Sequence, residues 1–87
     1  MADAEEFISI TLRSFVLPPG EGNDFPLGQP LVLQVSPGTP VEKLMKKIFA
    51  DRITQIGMVV INGRVAEGSV PLAAGDRVDV FEILGGG

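Results

Sequence analysis

One stretch of this sequence has the periodicity of an amphipathic helix, and segments with the periodicity of strands precede and follow it. Its apolar residues recur at spacings of three and four and would form a single stripe: Val41, Leu44, Met45, Ile48 and Phe49. Thr39, Pro40 and Glu42 have the pattern of a capping box with proline at the first helical position, so the helix should begin here. We expect it to end near residues 50–52. A single helix can cover only one face of a sheet, which predicts an α+β fold.

The strand-like segments differ in how they should be covered. Residues 7–13 and 30–35 alternate apolar and polar side chains, which predicts half-buried strands. Residues 58–61 are apolar throughout, which predicts a strand covered on both faces. Asn62-Gly63 predicts a tight hairpin to a short strand at residues 64–66, and residues 77–84 form the last strand-like run. The expected architecture is a mixed sheet of four to five strands with one main helix packed on one face.

The length of the chain predicts a single domain over residues 1–87. Within it, residues 1–6 are expected to be frayed and residues 85–87 to form a flexible C-terminal tail. Residues 14–29 are rich in proline and glycine and predict a long loop, either mobile or functional. No apolar run approaches the roughly 20 residues that span a bilayer, and the acidic start does not resemble a secretory or transit peptide. We therefore expect a cytoplasmic protein.

The composition excludes several kinds of chemistry. The chain has no cysteine, so it has no thiolate nucleophile, and it has no histidine, the commonest general base and metal ligand. Tyrosine and tryptophan are also missing and the net charge is −4, which does not suit a nucleic-acid surface. Asp76 and Asp79 are the closest paired carboxylates, and we interpret both as surface residues. No metal site, no cofactor and no enzymatic activity are therefore expected.

The only cluster of basic residues is formed by Lys43, Lys46 and Lys47 on the predicted helix. We interpret it as a solvated helix face. The alternative is a patch that binds a partner.

The sequence ends in Gly85-Gly86-Gly87 directly after the last predicted strand. Three residues without side chains span roughly 10 Å when extended, and they could enter a channel too narrow for side chains. The carboxylate of Gly87 is then the most distinctive chemical group in the chain. A disordered end or an engineered scar is the alternative interpretation of these glycines.

The last strand is expected to present apolar side chains on the face that the helix leaves open. Val78 and Val80 share one face, so Phe81 and Ile83 lie on the other, and Phe7 has the same parity on the first strand. Such residues beside a glycine tail predict a docking surface for a partner, made of Phe81, Ile83, Leu84, Gly85 and Phe7. In the alternative interpretation a bulge or twist turns these side chains inward, or the long loop covers them.

Three stretches of the sequence carry a family pattern when they are taken in order. Residues 60–65, Val-Ile-Asn-Gly-Arg-Val, look like a short hairpin of that family, and Gly-Asp-Arg-Val at residues 75–78 looks like its approach to the last strand. Residues 81–87 look like its apolar strand end followed by Gly-Gly. The chain thereby resembles the ubiquitin-like β-grasp sulfur carriers of the thiamine-biosynthesis (ThiS) and molybdopterin-biosynthesis (MoaD) type. The departure is residues 14–29, which are longer than the tight hairpin of the smaller thiamine-type carriers and richer in proline than we expect for the molybdopterin type, so the resemblance does not select a subfamily.

The resemblance implies a β-grasp fold and a reactive C-terminus at Gly87, preceded by Gly86. A partner adenylyltransferase of the ubiquitin-activating type would join the carboxylate to AMP from ATP. A sulfur donor protein would convert the acyl-adenylate to a thiocarboxylate, and a sulfur-accepting synthase would use it for a cofactor such as molybdopterin or thiamine thiazole. The chain would be a protein co-substrate and not an enzyme, with no nucleic-acid or membrane partner.

Two other functions fit the same sequence. The chain could be a ubiquitin-like modifier that is conjugated to other proteins through Gly87. It could also be a non-catalytic β-grasp interaction domain, for which Gly86 and Gly87 would be dispensable. The pathway that would accept the sulfur stays open, as do the oligomeric state and the role of residues 14–29.

Overall fold

In the computed structural model, which describes residues 6–20 and 24–83, five strands form one mixed sheet. The elements in chain order are β1 (Ile8–Ser14), β2 (Pro30–Val35), α1 (Val41–Phe49), a 3₁₀ helix (Ala50–Gln55), β3 (Ile56–Ile61), β4 (Arg64–Val65) and β5 (Arg77–Glu82). Their order in the sheet is β2-β1-β5-β3-β4. β1 and β5 are parallel and the other pairs are antiparallel. The predicted α+β architecture, with one main helix on a mixed sheet, is confirmed.

The helix α1 packs on one face of the sheet through the predicted apolar stripe. Four of its residues are buried, namely Val41, Leu44, Met45 and Phe49. The sheet meets them with Ile10 and Leu12 of β1 and with Val78 and Val80 of β5. Since side chains alternate along a strand, the odd-numbered residues of β1 and β5 point to the opposite face, which we name the open face.

The helix begins at Val41, one residue after the predicted first position Pro40, and its cap also differs from the prediction. Thr39 Oγ1 donates a hydrogen bond to the Ser36 carbonyl at 2.7 Å, and no side chain caps α1. The first N–H groups of the helix instead donate to carbonyls of the segment after β4: Val41 to Val70 and Glu42 to Gly68, each at 2.9 Å. The capping-box prediction was therefore wrong, because a distant part of the chain lies against the helix N-terminus and satisfies these groups.

The strand β3 also differs from its prediction. It begins at Ile56, and its register with β5 shifts between Ile56 and Met58. The prediction that residues 58–61 are covered on both faces was wrong, since Met58 is 40 % exposed. The reason is that α1 covers one face of the sheet and the described part of the chain places no second layer on the other.

The hairpin between β3 and β4 has the predicted tight turn. Asn62 and Gly63 both have positive φ angles, 53° and 84°, as a type I′ turn requires. The Asn62 side chain also reaches the approach to β5, where its Nδ2 donates to Asp76 Oδ1 at 2.8 Å and its Oδ1 accepts the Arg77 N–H at 2.9 Å. Asp76 Oδ2 accepts the Ala73 N–H at 2.8 Å. Two of the stretches that carry the family resemblance therefore contact each other.

The loop predicted at residues 14–29 is tied to the fold at both ends of its described part. Val16 belongs to the core, with 2 % of its surface exposed, and its N–H donates to the Ser14 hydroxyl at 2.9 Å. The Gly28 N–H donates to the Ser14 carbonyl at 2.7 Å. The loop is therefore folded back on the end of β1.

Several sequence predictions fall outside the described residues. They are the frayed start, apart from Glu6, and the flexible tail at residues 85–87. Within the described ranges, no helix combines the length and the apolar character needed to cross a membrane.

Candidate docking surface on the open face

An apolar patch lies on the open face, at the end of the sheet where the parallel strands β1 and β5 finish. The ring of Phe15, the residue after β1, stacks on that of Phe81 with their centroids 5.3 Å apart and their planes 12° from parallel. Met58 is the partner of Phe81 in the register of β3 and β5, and Ile83 follows β5. These four side chains, with Gly57 and Glu82, line a shallow groove of about 470 Å³, and we name it the Phe81 patch.

Three of the four apolar side chains of the Phe81 patch are exposed, and Phe81 itself is partly buried. Ile83 is 52 % exposed, Met58 40 % and Phe15 39 %. Single exposed apolar residues are ordinary on a protein surface, but adjacent ones leave a continuous apolar area in contact with water. Covering this area with a partner would be favourable, at roughly 25 cal/mol for each Å² removed from water.

A charged pair borders the patch and packs on its edge. The guanidinium of Arg13 lies over the Phe15 ring at 5.4 Å from its centroid. Its Nε donates to Asp79 Oδ1 at 3.1 Å. Arg13 is 46 % exposed, so the ion pair contributes at most about 1 kcal/mol to stability. Its main consequence is geometric, because it gives the apolar patch a polar rim of the kind found in transient interfaces.

The loop before β2 also supports the Phe15 ring. A Cβ added at Gly28 would lie 3.3 Å from Phe15 Cε1, and Gly28 has a φ of 74°, which favours glycine. The Phe15 ring therefore contacts Phe81 and lies close to both Gly28 and Arg13.

The end of β5 is held against the start of β3 by a close backbone contact. A Cβ added at Gly57 would lie only 2.7 Å from Ile83 Cα. The Ile83 N–H donates to the Gln55 carbonyl at 2.8 Å. A glycine in a strand often marks such a close approach of another backbone. Ile83, the last described residue, is thereby fixed beside the Phe81 patch.

The structure brings together only part of the docking surface predicted from the sequence. Phe81 and Ile83 lie side by side, whereas Leu84, Gly85, Gly86 and Gly87 are outside the described residues. Phe7 lines a different groove, between β2 and α1. β1 runs parallel to β5, and Phe15 is eight positions after Phe7, so the two grooves are roughly 25 Å apart along the strand.

The structure also bears on the two alternatives to an open apolar surface. An irregularity is present in β3 at Gly57, but it leaves Ile83 exposed. Phe15, in the loop at residues 14–29, stacks on Phe81 and so covers one face of its ring, as the second alternative expects, but the groove beside Phe81 remains accessible. Neither alternative removes the patch.

The docking surface predicted from the sequence did not include two members of the patch, Phe15 and Met58. The period of two in β1 carries the signal for Phe15, because residues 13 and 15 share a parity and Phe15 would follow Arg13 on the open face. Met58 lay in a run that is apolar at every position, where periodicity cannot separate the two faces.

The acidic residues of the described chain do not form a reactive cluster. Asp76 is hydrogen-bonded to Asn62, and Asp79 to Arg13. Over residues 6–20 and 24–83 no three His, Cys, Asp or Glu side chains are grouped in a way that could hold a metal ion.

Comparison with protein families supports the resemblance seen in the sequence. A sequence model of the ThiS family matches residues 15–87. This range includes the Phe81 patch and both stretches joined by Asn62 and Asp76. Members of this family are small ubiquitin-like sulfur carriers and are generally non-catalytic. No curated protein matches the chain at the level of sequence.

Comparison with solved structures supports the fold. The Haloferax volcanii HVO 2177 protein is 20 % identical, with a TM-score of 0.71 over all of this chain and 93 % of that one. Caldiarchaeum subterraneum ubiquitin is 21 % identical, with a TM-score of 0.62 over 94 % of this chain and all of that one. A de novo design based on ubiquitin is 22 % identical, with a TM-score of 0.60 over 92 % and 93 % of the two chains. At these identities the likeness shows the ubiquitin-like fold alone.

Proposed function

The chain belongs to the ThiS family of ubiquitin-like sulfur carriers, and we propose that it carries sulfur as a thiocarboxylate on Gly87. A partner adenylyltransferase of the ubiquitin-activating type activates the carboxylate with ATP. A sulfur donor protein supplies the sulfur, and a synthase accepts it in cofactor biosynthesis of the molybdopterin or thiamine thiazole type. The chain acts as a co-substrate of these enzymes in the cytoplasm.

The proposed reaction follows from the chemistry of a carboxylate. A terminal carboxyl group has a pKa of about 3.5 in model compounds, so it is ionised near neutral pH. It attacks the α-phosphate of ATP, pyrophosphate leaves, and an acyl-adenylate forms. Hydrosulfide then displaces AMP and leaves a thiocarboxylate. A persulfide donor would form an acyl disulfide, from which a thiol releases the thiocarboxylate.

The observation that carries the proposal is the position of the Phe81 patch. Ile83 ends the patch and is four residues before Gly87 in the sequence. Four extended residues reach roughly 13–14 Å. A partner that covers the apolar patch can therefore have its ATP site within reach of Gly87, and Gly85-Gly86-Gly87 adds no side chain along the way. The patch supplies docking, and the partner supplies the catalytic groups.

The direct test uses the full chain with a cognate adenylyltransferase, ATP and a sulfur donor. Intact-mass analysis should detect a species in which one oxygen has been exchanged for sulfur, and a chain lacking Gly86 and Gly87 should give none. Isopeptide-linked adducts without the thiocarboxylate would favour a protein modifier instead. Full partner function of the shortened chain would favour a plain interaction domain and overturn the proposal.

A further inference from the structure

A second groove lies on the helix side of the sheet, between the edge strand β2 and α1. Its volume is about 490 Å³. Its apolar lining comes from both elements and from the residue before β1, namely Phe7, Leu33, Val35, Leu44 and Ile48. We name it the β2–α1 groove. Phe7, with 54 % of its surface exposed, is the most accessible of these five residues.

The backbone hydrogen bonds of β1 reveal which groups of β2 face outward. The Thr11 N–H donates to the Asp76 carbonyl, and the Ser9 carbonyl accepts the Gly75 N–H. Odd-numbered residues of β1 therefore turn their backbone groups toward β5. Even-numbered residues, which alternate with them, turn theirs toward β2.

The register between β1 and β2 then shows which backbone groups of β2 lie on the outer edge of the sheet. The even-numbered residues Ile8, Ile10 and Leu12 pair with the odd-numbered residues of β2. The N–H and C=O groups of Val32 and Gln34 consequently point away from the sheet. In the part of the chain that the structure describes, β1 is the only strand paired with β2. A six-residue edge of this kind is a template for another extended chain.

The charge beside the groove is opposite to that of the whole chain. Lys43 and Lys47 line it one helical turn apart, and none of its lining residues is acidic. The chain as a whole has a net charge of −4. A ligand that pairs with the groove should therefore carry carboxylates close to its apolar side chains.

We propose that the β2–α1 groove binds an extended segment of a partner protein in which apolar side chains alternate and acidic residues follow. The segment adds a strand to β2 through the outward backbone groups of Val32 and Gln34, its apolar side chains enter the groove, and its carboxylates approach Lys43 and Lys47. Strand addition of this type takes affinity from main-chain hydrogen bonds and specificity from pockets for alternate side chains.

A second copy of this chain is a poorer occupant than a partner segment. β2 itself has the sequence Pro-Leu-Val-Leu-Gln-Val and brings no carboxylate to the lysines. Two copies would also each carry the same net charge of −4. The groove lies at the opposite end of the sheet from the Phe81 patch, so its ligand leaves that patch free for the proposed activating partner.

The test uses the full chain and a short synthetic peptide in which valine alternates with threonine and a run of aspartates follows. In amide hydrogen exchange by NMR, the Leu33 amide should be protected before and after binding. The Val32 and Gln34 amides should exchange quickly in the free chain and become protected with the peptide. A peptide in which lysines replace the aspartates should bind about tenfold more weakly or worse.

Matched variants separate this site from a general effect of charge. Lys43→Glu with Lys47→Glu should weaken peptide binding about tenfold, with a strong dependence on salt. Lys46→Glu, on the same helix but lining a different cavity, should change it less than about twofold. Val32→Pro should abolish binding while the sheet persists, because the lost N–H faces away from β1.

Three results would overturn the proposal. One is peptide binding that is equal in all these variants, and another is protection confined to amides outside β2. The third is protection of Val32 and Gln34 without peptide together with a dimer in sedimentation, which would assign the edge to a second copy. Thiocarboxylate formation on Gly87 is scored separately, so failure here leaves the proposed carrier function untouched.

Discussion

The rings of Phe15 and Phe81 stack with their centroids 5.3 Å apart, although the two residues are far apart in sequence. The parallel pairing of β1 with β5 causes this contact, since Ser14 and Val80 are partners in the register and each ring belongs to the next residue. Aromatic stacking of this kind stabilises by about 0.5–1.5 kcal/mol beyond the burial of area. The pair joins the loop at residues 14–29 to the strand that leads toward the glycines.

Phe81→Asp tests the docking role of the patch. We expect partner binding to weaken by about 2 kcal/mol, or roughly 30-fold, because a carboxylate would be desolvated at the centre of the interface. Isothermal titration with the adenylyltransferase measures this loss. The fold should largely persist, since the ring is on the open face and only partly buried.

The matched control for that change is Val65→Asp. Val65 is 71 % exposed on β4, outside the residues that line the patch, so its substitution should leave partner affinity nearly unchanged. A loss of thermal stability in Phe81→Asp as large as that of a core substitution would instead place Phe81 in the core.

Gly57→Ala tests the close contact between β3 and the end of β5. The new methyl group would lie 2.7 Å from Ile83 Cα, and backbone atoms on both sides must move. We expect the free energy of unfolding to fall by about 1–3 kcal/mol. In hydrogen exchange, the Ile83 amide, bonded to Gln55, should lose protection more than amides in β2. Uniform loss over the whole sheet, or none, would contradict a local contact.

Asn62→Asp tests the link between the hairpin and the approach to β5. The new carboxylate would face Asp76 in place of the amide that donates to it at 2.8 Å. We expect destabilisation by about 1–3 kcal/mol near neutral pH. Urea unfolding near neutral pH measures this loss.

The combined change Asn62→Asp with Asp76→Asn is the control for the link. It restores one amide and one carboxylate with their positions exchanged, and the N–H groups of Ala73 and Arg77 still find oxygen acceptors. We expect most of the lost stability to return at neutral pH. Additive losses from the two substitutions would show that they do not act through each other.

Gly86→Val tests the proposed passage of the tail through a narrow channel. A branched side chain should block formation of the acyl-adenylate, because glycine alone adds no bulk and allows all backbone conformations. Gly85→Ala is the matched control, since another small residue should be accepted at this spacer position. Pyrophosphate release with the cognate adenylyltransferase measures both. Equal rates for the valine variant and the parent would argue against a narrow channel.

The local patterns of the sequence determined most of the elements and the buried faces of β1, β2, α1 and β5, but not that of β3. A period of two identified β1 and β2, a helical stripe identified α1, and Asn62-Gly63 identified the hairpin, because each depends on residues close together in the chain. The side of β5 that carries Phe81 followed from the same alternation. The family pattern in residues 60–87 was also readable from the sequence, and the match of the ThiS family bears it out.

Only the tertiary structure decided which of these faces meet. The N-terminus of α1 is satisfied by carbonyls of Val70 and Gly68, which replaced the cap predicted from Thr39. Phe15 joined Phe81 in the patch, whereas Phe7 was placed in the β2–α1 groove at the other end of the sheet. Periodicity assigns a side chain to a face of its own strand, but strand order and register determine its neighbours, and these depend on contacts between residues far apart in sequence.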